Sequence, residues 1–226
     1  MITGAAGNLG RAVAEAFAAA GANRVLVDLD AAGLRKAFGD DTDHQRAMTA
    51  DLGDPKALKA ICGQTVAAFG RIDALCNIGG GFHMGEDVHE TSAEVWRHMI
   101  DLNAGSLLNA CGAVVPHMLA GGGGRIVNVA AGAALRGGAK IGAYAAAKSA
   151  VIRLTESMSA ELKDRGINVN CVMPSIIDTR QNRAAMPDAD ASRWVAPEAL
   201  AEVMLFLASD RARAIHGAAI PVSGLV

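Results

Sequence analysis

Short apolar runs alternate along the chain with longer segments in which apolar residues recur every three or four positions. Runs of four to eight apolar residues are typical of buried strands, and the longer spacing is typical of helices that cover a sheet. This alternation predicts a parallel sheet with helices on both faces. The predicted strands are 24–28, 45–49, 73–77, 125–129, 167–173 and 219–222, and the predicted helices are 8–20, 55–69, 92–102, 104–119, 143–163 and 197–208.

The residues Met1 to Thr3 are typical of the end of a further strand. A full strand would carry several more apolar residues before Thr3, so we expect this first strand to be truncated. No linker, internal repeat or low-complexity tract divides the remaining sequence. A single domain over residues 1–226 is therefore expected, and that length is sufficient to bury a sizeable core.

The composition excludes several classes of function. The formal net charge of −2 gives no positive surface for nucleic acid or for an anionic membrane. No apolar run reaches the length of a membrane span and no signal segment is recognisable, so we expect a soluble, cytoplasmic protein. The four cysteines and six histidines match no zinc, redox or other metal-binding spacing. No metal site is therefore predicted.

A glycine-rich turn, TGAAGNLG at residues 3–10, follows the first short strand and opens a helix. Glycine permits positive φ and lets a pyrophosphate approach bare backbone, and the helix presents free N–H groups to the phosphates. The turn is therefore predicted to bind a dinucleotide. The residues predicted to do so are Gly4, Gly7, Asn8, Leu9 and Gly10.

The second predicted strand ends at Asp28, which lies 18 residues after Gly10. An acidic residue about 20 residues after such a turn binds a ribose diol in dinucleotide sites. Its carboxylate would repel a 2′-phosphate, so NAD(H) is the preferred cofactor. NADP(H) is not excluded, because Arg11 or Arg24 could extend toward a phosphate.

Tyr144 and Lys148 lie four residues apart in a predicted helix, so their side chains project from the same face. A tyrosine with an ordinary pKa near ~10 exchanges protons poorly at pH 7, and a neighbouring cation lowers that pKa. The pair can therefore perform acid–base chemistry. Because many helices carry Tyr and Lys at this spacing by chance, the pair gains its weight from the other motifs.

Together these motifs resemble the short-chain dehydrogenase/reductase family along nearly the whole chain. The resemblance continues with Asp51-Leu52, Asn77-Ile78-Gly79-Gly80, Asn103 and Pro174-Ser175-Ile176-Ile177-Asp178-Thr179. It implies a single-domain Rossmann fold with a doubly wound parallel sheet of about seven strands, in the order 3-2-1-4-5-6-7. It also implies an NAD(P)-dependent oxidoreductase that acts on a small-molecule substrate.

The family implies a cofactor-binding role for each residue that matches its motifs. Asp51 and Leu52 would border the adenine, and Asn77, Gly79 and Gly80 would line the cofactor beside the fourth strand.

The segment that begins at Pro174 would lie beside the nicotinamide, with Ile177 and Thr179 holding its carboxamide. Tyr144 would be the general acid in reduction, and Lys148 would bind the nicotinamide ribose and lower the pKa of the tyrosine.

Asn103 would hold a water molecule in a proton relay. Simpler structural roles remain open for some of these residues. Asn103 could cap a helix, and Asp51 could cap the helix that begins at Pro55. Asp178 and Thr179 could belong to an ordinary turn.

The chain departs from the family at the catalytic serine, which should lie 13 residues before Tyr144. That position holds Ala131. The loss of one such hydrogen-bond donor costs about 2.7–4 kcal/mol of transition-state stabilisation. The dihydropteridine reductases, one branch of the family, also have alanine there, and their segment after the sixth strand resembles residues 178–194. Reduction of a quinonoid, pterin-like ring is therefore one hypothesis, because such a ring spreads the developing charge over several heteroatoms.

Two further functions stay open. The chain could reduce a ketone or 3-oxoacyl group, or oxidise an alcohol, with a water or backbone group in place of the serine. It could also be a non-catalytic dinucleotide-binding sensor, as the missing serine would allow. The presence of Tyr144, Lys148 and Asn103 argues against the sensor.

Residues 177–196 are predicted to form a lid over the substrate, although a solvated helical cap fits the pattern equally well. The segment contains Arg180, Arg183 and Arg193, which favour an anionic or polar-ring ligand if they face the substrate. The predicted helices 104–119 and 143–163 carry broad apolar faces with small residues. In the family such helices pair between subunits, which implies a homotetramer or homodimer.

Overall fold

Seven parallel strands form one sheet in the order β3-β2-β1-β4-β5-β6-β7 in the computed structural model, which describes residues 1–226. The order confirms the Rossmann topology that the resemblance implies. The strands are β1 (Ile2–Thr3), β2 (Arg24–Asp28), β3 (Gln45–Thr49), β4 (Ala74–Asn77), β5 (Gly124–Val129), β6 (Ile167–Pro174) and β7 (Ala219–Val222).

Eight α-helices connect these strands and cover both faces of the sheet. They are α1 (Asn8–Ala19), α2 (Ala31–Phe38), α3 (Pro55–Phe69), α4 (Ala93–Ile100), α5 (Ser106–Ala120), α6 (Gly142–Leu162), α7 (Arg180–Ala185) and α8 (Pro197–Leu207). None of them is both long enough and apolar enough to cross a membrane.

Two apolar cores lie on opposite faces of the sheet. On one face α3, α5 and α6 pack against the central strands through residues such as Leu58, Val114 and Ile152. On the other face α1 and α8 pack through residues such as Val13 and Met204. Because each central strand is covered on both sides, its residues are apolar almost throughout, as in β6, where every residue is buried.

The short strand β1 lies at the point where the chain reverses direction across the sheet. Ile2 and Thr3 pair with β2 on one side and with β4 on the other. In open parallel sheets, ligands bind outside the carboxyl ends of the strands at such a switch point. The glycine-rich turn follows Thr3 directly, so the fold brings it to this crevice.

The predicted elements agree with the structure except in three places. Helices α2 and α7 were not predicted from the sequence. The predicted helices 92–102 and 104–119 are instead joined by a π-helical turn at Asp101–Gly105. An inserted residue of this kind inside a helix often accompanies a functional site.

Candidate functional site

A cavity of about 850 Å³ opens at the carboxyl ends of β1, β2 and β4. It is large enough for an extended ligand such as a dinucleotide. It brings together most of the residues that the sequence predicts for cofactor binding. Those that line it are Gly4, Gly7, Asn8, Leu9, Gly10, Asp28, Asp51, Leu52, Gly79, Gly80 and Thr179.

The glycines of the turn are required by close approaches of the backbone. Gly4 has φ of +65°, and a Cβ there would lie 2.8 Å from the amide nitrogen of Gly79. A Cβ on Gly10 would overlap the carbonyl oxygen of Gly4. Gly7 precedes α1 and offers no capping side chain, so the first-turn N–H groups have no side-chain partner there. This bare helix N-terminus at the cavity fits a pyrophosphate.

Asp28 lines the cavity with a half-buried carboxylate at the end of β2. One of its oxygens accepts a hydrogen bond from Ala6 N at 2.9 Å, and the other accepts from Asp30 N at 3.1 Å. Each oxygen keeps a second lone pair that can accept a ribose hydroxyl. The carboxylate is therefore fixed in position and still able to bind a diol.

The two arginines that could have received a 2′-phosphate lie elsewhere. Arg24 is at the start of β2, the opposite end from the cavity, and donates to Ala14 O at 3.2 Å. Arg11 donates to Ala6 O at 2.8 Å and lines a second, adjoining cavity of about 500 Å³ that α1, α7 and the start of α8 border. Neither guanidinium lines the cavity that Asp28 faces.

Asp51 and Leu52 line the cavity after β3. The Asp51 carboxylate accepts from Gly53 N at 2.7 Å and does not cap α3. Asp54 caps that helix instead, accepting from Lys56 N and Ala57 N. The alternative role of Asp51 as a helix cap is therefore wrong.

Asn77 is predicted to line the cofactor, but its side chain is buried beneath α5 and α6 and does not line the cavity. It is 5% exposed, and its Nδ2 donates to Asn128 Oδ1 at 2.9 Å. Asn128 in turn donates to Thr155 Oγ1 on α6. Only the residues that follow Asn77, namely Ile78, Gly79 and Gly80, reach the cavity.

Asn103 is buried in the π-helical turn and fastens the loop that follows β4. Its Nδ2 donates to Gly81 O at 3.1 Å, and its Oδ1 accepts from Gly81 N at 3.2 Å. Nδ2 also donates to Met99 O. Because Oδ1 accepts from Gly81 N and from no N–H of α5, the alternative role as the N-terminal cap of that helix is wrong as well. The water of the predicted relay remains a prediction.

Lys148 is buried beside Asn103. A Cβ on Gly80 would lie 2.7 Å from Asn103 Oδ1 and 3.3 Å from Lys148 Nζ. The Lys148 ammonium donates to Val129 O, at the end of β5, at 2.9 Å. Because Gly80 lines the cavity, Asn103 and Lys148 flank its inner end. Burial lowers the pKa of Lys148 to about 8.

Tyr144 is half-buried one turn before Lys148 on α6. Lys148 was predicted to lower the pKa of the phenol. That prediction is wrong, because burial raises the pKa of Tyr144 to about 12. The physical reason is that the ammonium is directed at the Val129 carbonyl, while removal of water from the phenol disfavours the phenolate.

Ala131 is buried at the usual serine position, just after β5. Ser149, the hydroxyl residue nearest to Tyr144 in the sequence of α6, does not replace the missing donor. Its Oγ is directed at Ala134 O and Ala145 O, at 2.8 and 2.9 Å. The position at which the family has its catalytic serine therefore carries no hydroxyl donor, and Ser149 does not supply one.

The segment after β6 leaves the sheet and returns to it. Ile177 pairs with Val195 in an isolated parallel bridge, so the ends of the intervening loop are held together. Thr179 lines the cavity and caps α7, its Oγ1 accepting from Asn182 N at 3.1 Å. Pro174 is buried at the end of β6 and, like Ile177, does not line the cavity.

The three arginines of this segment do not converge on Tyr144. Arg183 makes a two-pronged ion pair with Asp178, at 2.5 and 2.7 Å. Arg193 donates to Leu225 O at 2.6 Å, and Arg180 lines the second cavity beside Arg11. Their positions do not support the anionic ligand that the sequence suggested.

Several residues of the cavity were not predicted from the sequence. Four of them continue the helical surface around the π-helical turn, and that periodicity is the signal that could have found them. These are His98, Asp101, Leu102 and Ser106. Others, such as Ala6 and Ile78, adjoin predicted residues. No group of three or more His, Cys, Asp or Glu side chains is arranged to hold a metal ion.

Comparison with known proteins gives consistent matches. A family model described as short chain dehydrogenase matches residues 1–190. D-threitol dehydrogenase of Mycolicibacterium smegmatis is 34% identical over 236 residues, covering 99% of this chain and 90% of that protein. Meso-2,3-butanediol dehydrogenase of Serratia marcescens is 34% identical over 234 residues, covering 99% and 92%. The crystal structure of carveol dehydrogenase from Mycobacterium avium in complex with NAD has a TM-score of 0.89 at 30% identity, covering 99% and 95%.

Proposed function

Because the chain belongs to the short-chain dehydrogenase family and is therefore an NAD(P)-dependent oxidoreductase, we propose that it interconverts a secondary alcohol and a ketone using NAD(H). The observation that carries the proposal is the junction at Gly80. There the dinucleotide cavity meets Lys148 and Asn103, and Tyr144 lies one helical turn from Lys148. Relatives named for their action on D-threitol and on meso-2,3-butanediol, both alcohols, support the same chemistry.

The nicotinamide, when bound, supplies or accepts the hydride, and residues of the chain donate or accept the proton. Tyr144 holds a proton on its hydroxyl and gives it to the carbonyl oxygen in reduction. A phenol with its pKa raised to about 12 is protonated at neutral pH and is therefore a proton donor there. In oxidation the phenolate must form first, so that direction is expected to accelerate as the pH rises. Lys148 holds the nicotinamide ribose, and its hydrogen bond to Val129 O fixes the ammonium beside the inner part of the site.

NAD(H) is favoured over NADP(H) by the carboxylate of Asp28. Its two oxygens are fixed by Ala6 N and Asp30 N, and a negative charge in that position repels a 2′-phosphate. No arginine lines the cavity to offset that repulsion. Asp51 and Leu52 border the adenine in this proposal.

Residues 177–196 form the substrate lid in this proposal. The bridge between Ile177 and Val195 gives the segment a fixed base, and Thr179 joins it to the cavity. Asn8 Nδ2, at the start of α1, donates to Gln181 Oε1 at 2.7 Å, which ties α7 to the glycine-rich turn. Slower proteolysis within residues 180–190 on addition of NADH would support a lid that closes over the cofactor, and an unchanged rate would argue against it.

The direct test is replacement of the proposed acid, Tyr144→Phe. Alcohol oxidation and ketone reduction are expected to fall by at least about 100-fold, since the general acid is lost. NADH binding, measured by fluorescence titration, should remain within about twofold, because the glycine-rich turn and Asp28 are untouched. Turnover with NAD+ should exceed turnover with NADP+. Full activity of the variant would contradict the proposal.

A second candidate is reduction of a quinonoid ring, and Ala131 is the observation that favours it. A ketone concentrates charge on one oxygen and benefits from a hydroxyl donor, whereas a conjugated ring disperses the charge. The two candidates predict different results for the activity of Ala131→Ser. If the substrate is a ketone or alcohol, the variant should gain up to about 100-fold in kcat. If it is a quinonoid ring such as quinonoid dihydropterin, the wild type should reduce it rapidly and the variant should gain nothing.

A further inference from the structure

Phe82 is a large apolar side chain that is 64% exposed and follows the cavity glycines in sequence. Its ring meets the ring of Tyr144 edge to face, with centroids 5.0 Å apart and planes inclined by 79°. Aromatic rings favour this geometry. Part of the Phe82 side chain therefore covers the Tyr144 ring, while most of it remains exposed to a ligand.

The loop that carries Phe82 is fastened at both ends. Asn103 holds Gly81 through two hydrogen bonds. Further along, Gly85 N donates to Lys140 O at 3.0 Å, and Lys140 Nζ forms an ion pair with Asp87 at 3.1 Å. Lys140 has φ of +66°, a conformation that lysine seldom adopts. The loop is thus held in place on both sides of Phe82, with the Phe82 side chain exposed between the two points.

The charges on this loop are paired with one another or with Lys140. His83 lies 3.1 Å from Glu86, and Asp87 pairs with Lys140. The large apolar side chains of the loop are the ones left exposed: Met84 is 61% exposed and Val88 72%. An exposed apolar side chain beside a reactive group is typical of a ligand-binding surface, and Phe82 is the one that contacts Tyr144.

We propose that Phe82 contacts the substrate, selects alcohols and ketones with an apolar ring or chain next to the reacting carbon, and holds the Tyr144 ring in place. The inference rests on the proposed function, because it takes Tyr144 to be the proton donor. It adds a substrate class that is less polar than a polyol. The paired charges of the loop leave no partner for a charged substituent at this position.

The test compares cyclohexanol with glycerol in NAD+-dependent oxidation. The wild type should show the higher kcat/KM with cyclohexanol. Phe82→Ala should lower kcat/KM for cyclohexanol by about tenfold or more beyond any loss on glycerol, because the loss of Tyr144 positioning is shared by both substrates. Phe82→Tyr keeps the ring and should retain the preference. Phe206→Ala, which removes a partly exposed phenylalanine from α8, is the control and should change neither substrate.

The role of Phe82 in holding the Tyr144 ring is tested by the dependence of the oxidation rate on pH. Removal of the Phe82 ring admits water to the phenol, so the rising limb of the oxidation rate against pH should move to lower pH in Phe82→Ala. An unchanged preference together with an unchanged pH profile would overturn the inference, as would a wild-type preference for glycerol or an equal loss on both substrates with no shift in pH. Unimpaired Tyr144→Phe, or no wild-type turnover of any alcohol, would instead overturn the proposed function.

Discussion

Lys148 is a cation that is only 5% exposed, and its burial has a consequence for stability. Burial lowers the pKa of the ammonium to about 8, below its value of about 10.4 in an unfolded chain. The folded state therefore binds the proton less tightly than the unfolded state. The contribution of Lys148 to the free energy of unfolding is therefore fully present above the unfolded pKa and is lost as the pH falls through 8.

Lys148→Met is accordingly expected to stabilise the protein at pH 7 while it removes activity. The charged form is disfavoured by about 3 kcal/mol, and the lost charge-assisted hydrogen bond to Val129 O offsets about 1.5–2 kcal/mol of the gain. Urea unfolding should show the variant about 1–2 kcal/mol more stable at pH 7, with the difference shrinking toward pH 9. Lys36→Met on the exposed face of α2 is the control. A destabilised variant with no pH dependence would contradict this expectation.

At the scale of single residues, the sequence predicts which side chains carry chemistry better than where they point. Spacing predicts that Tyr144 and Lys148 share a helix face whatever the fold, and the other motifs select this pair from chance pairs. The direction of the tyrosine pKa was not predictable, since it depends on burial and on the Val129 carbonyl that receives the ammonium. Asn77 was misplaced for a related reason: a motif does not reveal which face of a strand a side chain occupies.

The glycine-rich turn is the element whose conformation most depends on its sequence. Gly4→Ala would place a Cβ 2.8 Å from Gly79 N at a φ of +65°. The turn must then shift, and we expect NADH affinity to fall at least about tenfold, along with a loss of thermal stability. Fluorescence titration and thermal unfolding measure the two effects.

Gly63→Ala is the matched control, because it makes the same chemical change in the middle of α3, where a Cβ meets nothing within 4 Å. That variant should gain about 0.5–1 kcal/mol of stability, with unchanged NADH binding. If both variants bound NADH equally well, the close approach at Gly4 would not limit the cofactor site.

At the scale of elements, strands and long helices were predictable because their apolar periodicity is set by the two-sided burial of the sheet. The β2, β3, α3 and β7 boundaries agree with the predictions at both ends. The join between α4 and α5 was not predictable. The sequence predicts a helix boundary at Asn103, whereas its carboxamide bonds to Gly81 and the helix continues there as a π-helical turn. That tertiary contact leaves no mark in local sequence. Short α7 depends on its cap Thr179 and on the Asp178–Arg183 ion pair.

The strand order of the whole molecule followed from the resemblance, and the structure confirms it. The parallel sheet with helices on both faces followed from periodicity alone. Contacts between subunits cannot be predicted from periodicity, because apolar residues that face the core and apolar residues that face a partner recur at the same spacing. The structure separates these cases for α5, where Val114 and Met118 are buried but Leu108 is 47% exposed.

We propose that α5 and α6 form the interface of a homodimer or homotetramer, as the family resemblance implies. The exposed face of α5 carries Leu108, Gly112 and Pro116, which recur every four residues, and a Cβ on Gly112 meets nothing within 4 Å of the chain. Such a row of small and apolar residues can approach the same row of a second copy closely. Trp96 on α4 adds a second exposed apolar side chain, 46% exposed.

Leu108→Glu is expected to weaken this assembly, because burying an unpaired carboxylate in an apolar interface costs several kcal/mol. Light scattering coupled to gel filtration should give a multiple of the 23.1 kDa chain mass for the wild type and a smaller mass for the variant. Ala67→Glu, on the exposed face of α3, adds the same charge elsewhere and should leave the mass unchanged. A wild type that elutes at 23.1 kDa, or a variant whose mass does not fall, would show that the α5 face is not the interface.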